Sequence, residues 1–358
     1  MEISEILMLV ACAIFLIPSL ASATRFDQWW IRAFDFPRLQ ISALIILIII
    51  AAIIVFDFFQ IIHFITIGLL VLSLIYQFHK IYPYTPFAKK QVMQYEDGGS
   101  IDNISLLVSN VLTPNNDFHK LLEIVNRRQP DMLLTLESDK KWENALKEIE
   151  KEYKYTVKVP QDNLYGMHLY SKLKLEEIEV RYLIKDDIPS IHGYVILEDD
   201  SKIRIHCMHP RPPSPSEADT STNRDAELLM LGRDVKKQDD SVLVFGDLND
   251  VAWSRTTKLF QQMSGLLDPR IGRGFFNTFH ADYRIFRWPL DHVFLSNDFT
   301  LVDIAREKHI GSDHFPMYIK LNFEKKAEDE QDKPEAKEEE KEWAQDKIED
   351  AQPRDKSV

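Results

Sequence analysis

Six short segments in the middle of this 358-residue chain, four of them apolar runs, end in or lead directly to side chains that can do acid–base or metal chemistry. Asn110 follows Val108-Ser109, Glu137 follows residues 133–136, and His209 follows residues 203–208. Asp247 and Asn249 follow residues 242–246, Asp291 follows Leu290, and Asp313-His314 follow Gly311-Ser312. Polar residues at strand ends are common as caps and turn formers, so each one alone has a structural reading. Six endings that supply carboxylates, carboxamides and histidines, and no lysine, are harder to read as caps.

The chemistry this set suits is metal-assisted attack on a phosphate ester. Hard divalent ions such as Mg²⁺ take carboxylate oxygens and keep several waters, so one or two acids suffice. Glu137, Asp313 and Asp247 supply such oxygens. A histidine held by a carboxylate can act as a base or stabilise developing charge, and His314 with Asp291 suits that pair. The carboxamides of Asn110 and Asn249 can hold phosphate oxygens or orient a water without adding charge. Other chemistries lack their signatures. No HxxxH or HxH spacing favours zinc, no GxSxG elbow surrounds Ser312, and no GxGxxG or GxxxxGK[ST] occurs among only 11 glycines. Two cysteines, Cys12 and Cys207, exclude a disulfide framework and a Cys-based zinc cluster.

The elements that must position these residues lie between about 101 and 323. Short apolar runs at 104–109, 131–136, 155–159, 167–170, 178–183, 194–197, 203–208, 242–245, 291–296, 299–304 and 316–322 predict strands. Helical spacing predicts helices over 118–125, 142–149 and 223–237, the first capped by residues 115–117. Strands in excess, with helices between only some of them, predict an α/β (α+β) domain of two β-sheets packed face to face and flanked by helices. His168, His192, His206 and His292 read as structural.

Length suggests two or three units, and composition divides the chain into 1–90, 91–323 and 324–358. The first unit holds three uncharged runs, 6–23, 41–56 and 58–76, each near the roughly 17–25 residues of a membrane span. Residues 21–23, Ala-Ser-Ala, look like a signal-peptide cleavage site, but the start MEISE has no basic region, so the run reads as a retained helix. Asp57 falls in the turn between the second and third runs, with His63 one turn inside and satisfied locally. Arg25, Arg32 and Arg38 after the first run, and Lys80, Lys89 and Lys90 after the third, share one side of a three-span anchor. The positive-inside rule makes that side the cytoplasm, giving a multi-pass membrane protein with its folded domain on the cytoplasmic side. The tail 324–358 has 14 acids and 8 bases and few apolar residues, which predicts disorder or a solvated helix.

Asn110-Val111, Glu137, Gly246-Asp247-Leu248-Asn249, Leu290-Asp291-His292 and Gly311-Ser312-Asp313-His314-Phe315-Pro316 stand in the order of the endonuclease/exonuclease/phosphatase superfamily. The chain resembles that family over roughly 101–323, and as a whole it looks like the membrane-anchored bacterial members. The resemblance implies a four-layer DNase I-like sandwich and dependence on Mg²⁺ or Mn²⁺. It implies Glu137 as the main metal ligand, Asp313 beside the metal, and Asn110 assisting metal and phosphate. Asp247 and Asn249 then orient the nucleophilic water or the leaving group, and Asp291 polarises His314. His209 falls where the family carries a histidine or tyrosine on the scissile phosphate, and Arg211 is a candidate for a further phosphate contact or a turn-packing role. One departure is Leu136, where the family usually has glutamine before the metal glutamate.

Members of the family cut DNA, RNA, phospholipids and phosphorylated inositols, so the fold leaves the substrate open. A net charge of −13 argues against tight non-specific binding of nucleic acid, while Arg270, Arg273, Arg284 and Arg287, read as exposed near the site, argue for it locally. The expected function is a membrane-anchored, metal-dependent phosphoesterase of nuclease-like kind. A lipid phosphodiesterase or phosphoinositide phosphatase at the membrane surface is the alternative, and a catalytically inactive tethered scaffold is a third reading. The expected partners are the phosphoester substrate, nucleic acid or phospholipid headgroup, and the lipid bilayer. Nothing in the sequence names an obligate protein partner.

Overall fold

The computed structural model describes residues 1–96 and 103–351. The expected start of the folded domain at about 101 and the last seven residues of the tail lie outside the described residues.

Three helices, α1 (Ile3–Ala23), α3 (Arg38–Val55) and α4 (Ile61–Ile81), are long and apolar enough to cross a membrane. They pack on one another through Cys12, Ile45, Ala52 and Leu70 while most of their other large apolar side chains face outward. At the far end, Asp57 occupies the turn, and its carbonyl lies 2.6 Å from Nδ1 of buried His63. At the near end a short helix, α2 (Trp29–Arg32), lies between α1 and α3. Arg32 and Arg38, between the first and second apolar runs, are not free charges. Both are buried against Asp35, at 3.1 and 2.5 Å, and Arg38 also donates to Ser22 and Gln77.

The folded domain is two sheets. The first has the order β10 (Phe299–Arg306), β11 (Met317–Phe323), β1 (Asn103–Asn110), β2 (Met132–Leu136), β4 (Met167–Ser171), β3 (Tyr155–Val159). The second has the order β5 (Lys174–Arg181), β6 (Ser190–Ile196), β7 (Lys202–Met208), β8 (Val242–Asp247), β9 (Asp291–Leu295). Leu106, Leu134 and Leu169 of the first sheet meet Ile205, Phe245 and Val293 of the second in a dry core. Helices α5 (Phe118–Arg128) and α6 (Lys140–Ala145) cover the outside of the first sheet through Leu121, Ile124 and Trp142. Helices α7 (Thr222–Lys236) and α8 (Arg255–Ser264) cover the second through Leu228, Leu231 and Phe260. Two sheets packed face to face and flanked by helices are what the order of elements predicts, and the whole is the four-layer, DNase I-like arrangement that the resemblance implies.

Both sheets are buried on two faces, so their central strands read as continuous apolar runs. Helix α8 is absent from the sequence reading, because Leu259, Phe260 and Met263 are too few to mark a period among polar neighbours. The tail also differs from expectation. Glu338–Asp350 forms helix α9, with Ala344 and Ile348 buried in the α7 and α8 layer. Two apolar residues one turn apart, on a helix that supplies its own hydrogen bonds, are enough to dock a segment whose composition alone predicts solvation.

The segments that flank the three apolar helices meet the folded domain directly. The Trp253 indole donates to the Asp35 carbonyl at 2.7 Å, and the Tyr84 hydroxyl donates to the Ala252 carbonyl at 2.6 Å. Lys347 of α9 bonds both Asp27 and Asp225.

Candidate active site

Strand register brings the chemical residues together. β1 and β2 run parallel with Asn110 opposite Leu136, so Asn110 and Glu137 end side by side. β7 and β8 run parallel with Met208 opposite Gly246, which sets His209 beside Asp247. β8 and β9 run antiparallel with Asp247 opposite Asp291. The strand ends of both sheets meet across the core, and the turn before β11 delivers Asp313 and His314. Ser312 fixes that turn: its hydroxyl donates to the Asn110 carbonyl at 2.8 Å and accepts the His314 backbone N–H at 3.0 Å.

Two backbone features tighten the assembly. Gly246 has φ +145°, and a Cβ there would lie 2.0 Å from the Met208 carbonyl oxygen. The parallel pair can approach this closely only with glycine. Glu137 and Asn249 hold left-handed conformations, φ 56° and 51°. Such positions cost on the order of 1–3 kcal/mol for a non-glycine residue, and the surrounding bonds must hold them. Thr113 donates to the Glu137 carbonyl at 2.8 Å. Arg224 donates to the Asn249 carbonyl at 2.8 Å, and the Asn249 N–H donates to Asp247 at 2.9 Å.

The side chains form one connected set. The Asn110 amide donates to Glu137 at 2.8 Å and to Asp247 at 3.1 Å, bridging the two sheets. His314 Nδ1 lies 2.8 Å from Asp291, and its Nε2 lies 3.4 Å from Asp247. His209 Nε2 lies 3.9 Å from the same Asp247 oxygen. The Asn249 amide donates to the Pro210 carbonyl at 3.0 Å. Asp313 is half-buried at the edge, 3.4 Å from the Ser312 hydroxyl.

Arg211 is placed differently. Its guanidinium pairs with Glu217 at 3.0 Å, and the same Glu217 oxygen accepts from the Tyr165 hydroxyl. Tyr165 in turn lies 5.4 Å, ring to ring, from His209. Tyr165 is a site neighbour that the sequence does not reveal, since it follows a polar loop, two residues before β4, and ends no apolar run. Arg270 is a correction: it is fully buried, paired with Asp268 at 2.7 Å and bonded to His292, so it offers no exposed charge to a substrate. His168, His192, His206 and His292 are buried, as expected of structural residues.

The electrostatics follow from burial and from these pairings. Burial pushes the Glu137 carboxyl up to about 7, with Asp313 and Asp247 adding to the rise and the Asn110 bond opposing it. Burial also raises Asp247, against the pull of His314. Burial lowers His209 to about 4, leaving it neutral. Burial disfavours charge on His314 as well, but Asp291 and Asp247 outweigh it and hold the ring cationic, up to about 10.

Two oxygens here are buried without a hydrogen-bond partner, Glu137 Oε2 and Asp291 Oδ1. Among the described residues the ion pairs of Asp247 and Asp291 are with histidines alone. Asp247, Asp291 and His314 present ligand atoms within 4.8 Å of one another, though both nitrogens of His314 already face carboxylates. The unpaired Glu137 oxygen beside half-buried Asp313 and the Asn110 carboxamide fits a hard divalent cation, which would supply the missing positive charge.

The sequence profile described as the Endonuclease/Exonuclease/phosphatase family matches residues 107–314, from β1 to His314. The chain belongs to this family. Family members typically use divalent metals, in keeping with the acidic and histidine cluster. Comparison with curated proteins gives no match. Among solved structures, D. rerio TDP2 complexed with single strand DNA product is similar at 17% identity and TM-score 0.50, covering 62% of this chain and 99% of TDP2. The human Nocturnin catalytic domain with bound sulfate anion is similar at 15% identity and TM-score 0.51, covering 63% and 96%. An endonuclease/exonuclease/phosphatase from Beutenbergia cavernae is similar at 14% identity and TM-score 0.50, covering 62% and 72%. At these identities the likeness is one of fold.

Proposed function

We propose that this family member is a membrane-anchored, divalent-metal-dependent phosphoester hydrolase. The observation that carries the reading is the joining of Asn110-Glu137 on one sheet to Asp247, Asp291 and His314 through the single Asn110 amide. Glu137, with Asp313 and the Asn110 carboxamide, is the metal-holding edge. A divalent cation held by these residues would supply charge neutralisation for the phosphate oxygens. Asp247 and Asn249 orient the attacking water or the leaving oxygen. His314, held cationic by Asp291, donates from Nε2 toward a phosphate oxygen. Neutral His209 faces the same point and offers a second hydrogen bond. Arg211, paired with Glu217, tunes the rim and does not grip the phosphate directly.

The same chemistry serves a nucleic-acid backbone, as the DNA product on TDP2 illustrates for that protein, and a phospholipid headgroup. The surroundings of the site select between them. The complete residue set favours an enzyme over an inactive scaffold. We place the three apolar helices across the membrane, residues 1–90 forming the anchor and 91–323 the catalytic domain. The catalytic side is the cytoplasm: Arg25, Lys80, Lys89 and Lys90 lie at the domain end, and Glu5 and Asp57 lie at the other.

The test is hydrolysis of bis-p-nitrophenyl phosphate by the full chain in detergent. EDTA should abolish it, and Mg²⁺ or Mn²⁺ should restore it. Full activity in EDTA contradicts the reading. A cytoplasmic reporter fused after Val358 should be active, and a reporter that works only outside should be silent; the reverse pattern overturns the orientation.

A further inference from the structure

Three spanning helices alone would leave the active site free to face in any direction. The loop between α8 and β9 removes that freedom. At its inner end the Ala281 N–H donates to the Asp313 carbonyl at 2.6 Å, and the Phe279 ring lies 4.9 Å from the His314 ring. At its tip the Ile285 carbonyl accepts the side-chain amide of Gln40, in the first turn of α3. On the way back Trp288 meets Phe36 edge-on at 5.7 Å. One loop therefore ties the rim of the site to the point where α3 begins its apolar run. Ala281 and Ile285 are four residues apart, so their Cα atoms lie within about 14 Å of each other whatever path the chain takes.

The composition of the tip matches that position. Tyr283, Ile285 and Phe286 are 59%, 72% and 51% exposed. Among the described residues from 103 onward, no other large apolar side chain exceeds 38%. Arg284 stands exposed between them. Concentration of the most exposed apolar side chains on one loop marks a contact surface, and aromatic and aliphatic residues around an arginine are the composition of an interfacial anchor. The same end of the helix bundle exposes Phe26, Trp30, Tyr82 and Phe87, an aromatic belt. Lys80 and Lys258 line one cavity there, and neither has an ion pair among the described residues. Unpaired cations at that level suit anionic headgroups.

We propose that the 280–287 loop is an interfacial membrane contact that seats the rim of the active site in the headgroup layer, and that the phosphoester the site hydrolyses belongs to a bilayer phospholipid. The contact stands on the loop alone; the substrate rests on the phosphoester-hydrolase reading. In the reaction the oxygen of water bonds to phosphorus, the bond from phosphorus to one ester oxygen breaks, and that oxygen leaves as an alcohol with a proton from the water. The other product is a phosphate monoester.

The contact is testable without activity. Cys12 and Cys207 are buried, so Ile285→Cys gives one labelling site in the full chain, reconstituted in phosphatidylcholine–phosphatidylglycerol vesicles. A nitroxide at 285 should favour collision with oxygen over a water-soluble nickel complex, as at Leu44→Cys in α3, and unlike Val180→Cys on β5. Water-like accessibility at 285 overturns the contact. The substrate is tested with vesicle phospholipid, an oligodeoxynucleotide and bis-p-nitrophenyl phosphate, each with Mg²⁺. Ile285→Asp with Phe286→Asp should lower the ratio of vesicle to soluble-diester hydrolysis by about tenfold or more. Cleavage of the soluble diester or the oligonucleotide with vesicle phospholipid untouched overturns the lipid substrate and leaves the hydrolase reading standing. Cleavage of none of the three overturns both.

Discussion

Glu227 lies on α7, one turn from the Arg224 that holds Asn249, and it is buried with Oε1 lacking any hydrogen-bond partner. Burial, with no opposing charge, pushes its carboxyl up to about 8. In the unfolded chain the group titrates near the ordinary glutamate value of about 4.3. The folded state therefore keeps its proton over a range in which the unfolded state has lost it. Stability from this site is fully present below about pH 4, falls as pH rises, and levels off above about pH 8, the reverse of a salt-bridged carboxylate. The slope in between is about 1.4 kcal/mol per pH unit, which amounts to about 2–3 kcal/mol between pH 5 and pH 7. Glu227→Gln keeps the shape and removes the titration. At about 2–4 °C per kcal/mol for a domain of this size, the variant should gain roughly 4–12 °C in thermal midpoint over the parent between pH 5 and pH 7. The assay is a pair of melts of the full chain in one detergent at pH 5, 6, 7 and 8. A parent-to-variant difference that stays constant or narrows as pH rises refutes the reasoning.

Gly246→Ala places a Cβ 2.0 Å from the Met208 carbonyl at a φ of +145°, and should cost about 3 kcal/mol or more, read as a thermal midpoint lower by about 6–12 °C. A midpoint within 2 °C or so of the parent shows that β7 and β8 are less tightly apposed. Arg224→Met leaves buried Asp250 without its ion-pair partner, leaves Asp225 with Lys347 alone, and frees the Asn249 carbonyl. It should destabilise by about 3–5 kcal/mol, whereas Arg224→Lys keeps the charge and recovers part of the loss in the same melt. Equal melts for the two variants contradict the role of the charge.

Much of the site is legible in the sequence because buried strands leave a plain signature. An apolar run gives way to polar side chains where its strand ends, and those side chains can do chemistry. Asn110, Glu137, His209 and Asp247 are found by that rule, Asp291 stands at the start of β9, and the structure brings them together. What the rule cannot supply is register. That Asp247 stands opposite Asp291, and that one amide spans Glu137 and Asp247, depend on pairings set by long-range packing. Arg270 is misread for a related reason: it looks like a surface charge in one dimension, yet it is buried beside Asp268, two residues away in sequence. Tyr165 escapes because its contact with His209 belongs to no strand end. The tail helix escapes because docking through Ala344 and Ile348 needs the apolar surface that α7 and α8 build together.

The central claim is that Glu137 holds the catalytic metal while His314 acts on the phosphate. Its most direct test is the Mg²⁺ dependence of bis-p-nitrophenyl phosphate hydrolysis by the full chain, by Glu137→Gln and by His314→Ala. The account predicts that Glu137→Gln needs a higher Mg²⁺ concentration for half-maximal rate. It predicts that His314→Ala keeps the parental Mg²⁺ midpoint and loses on the order of a hundredfold in kcat at saturating metal. An unchanged Mg²⁺ midpoint in Glu137→Gln, or a parental kcat in His314→Ala, contradicts it.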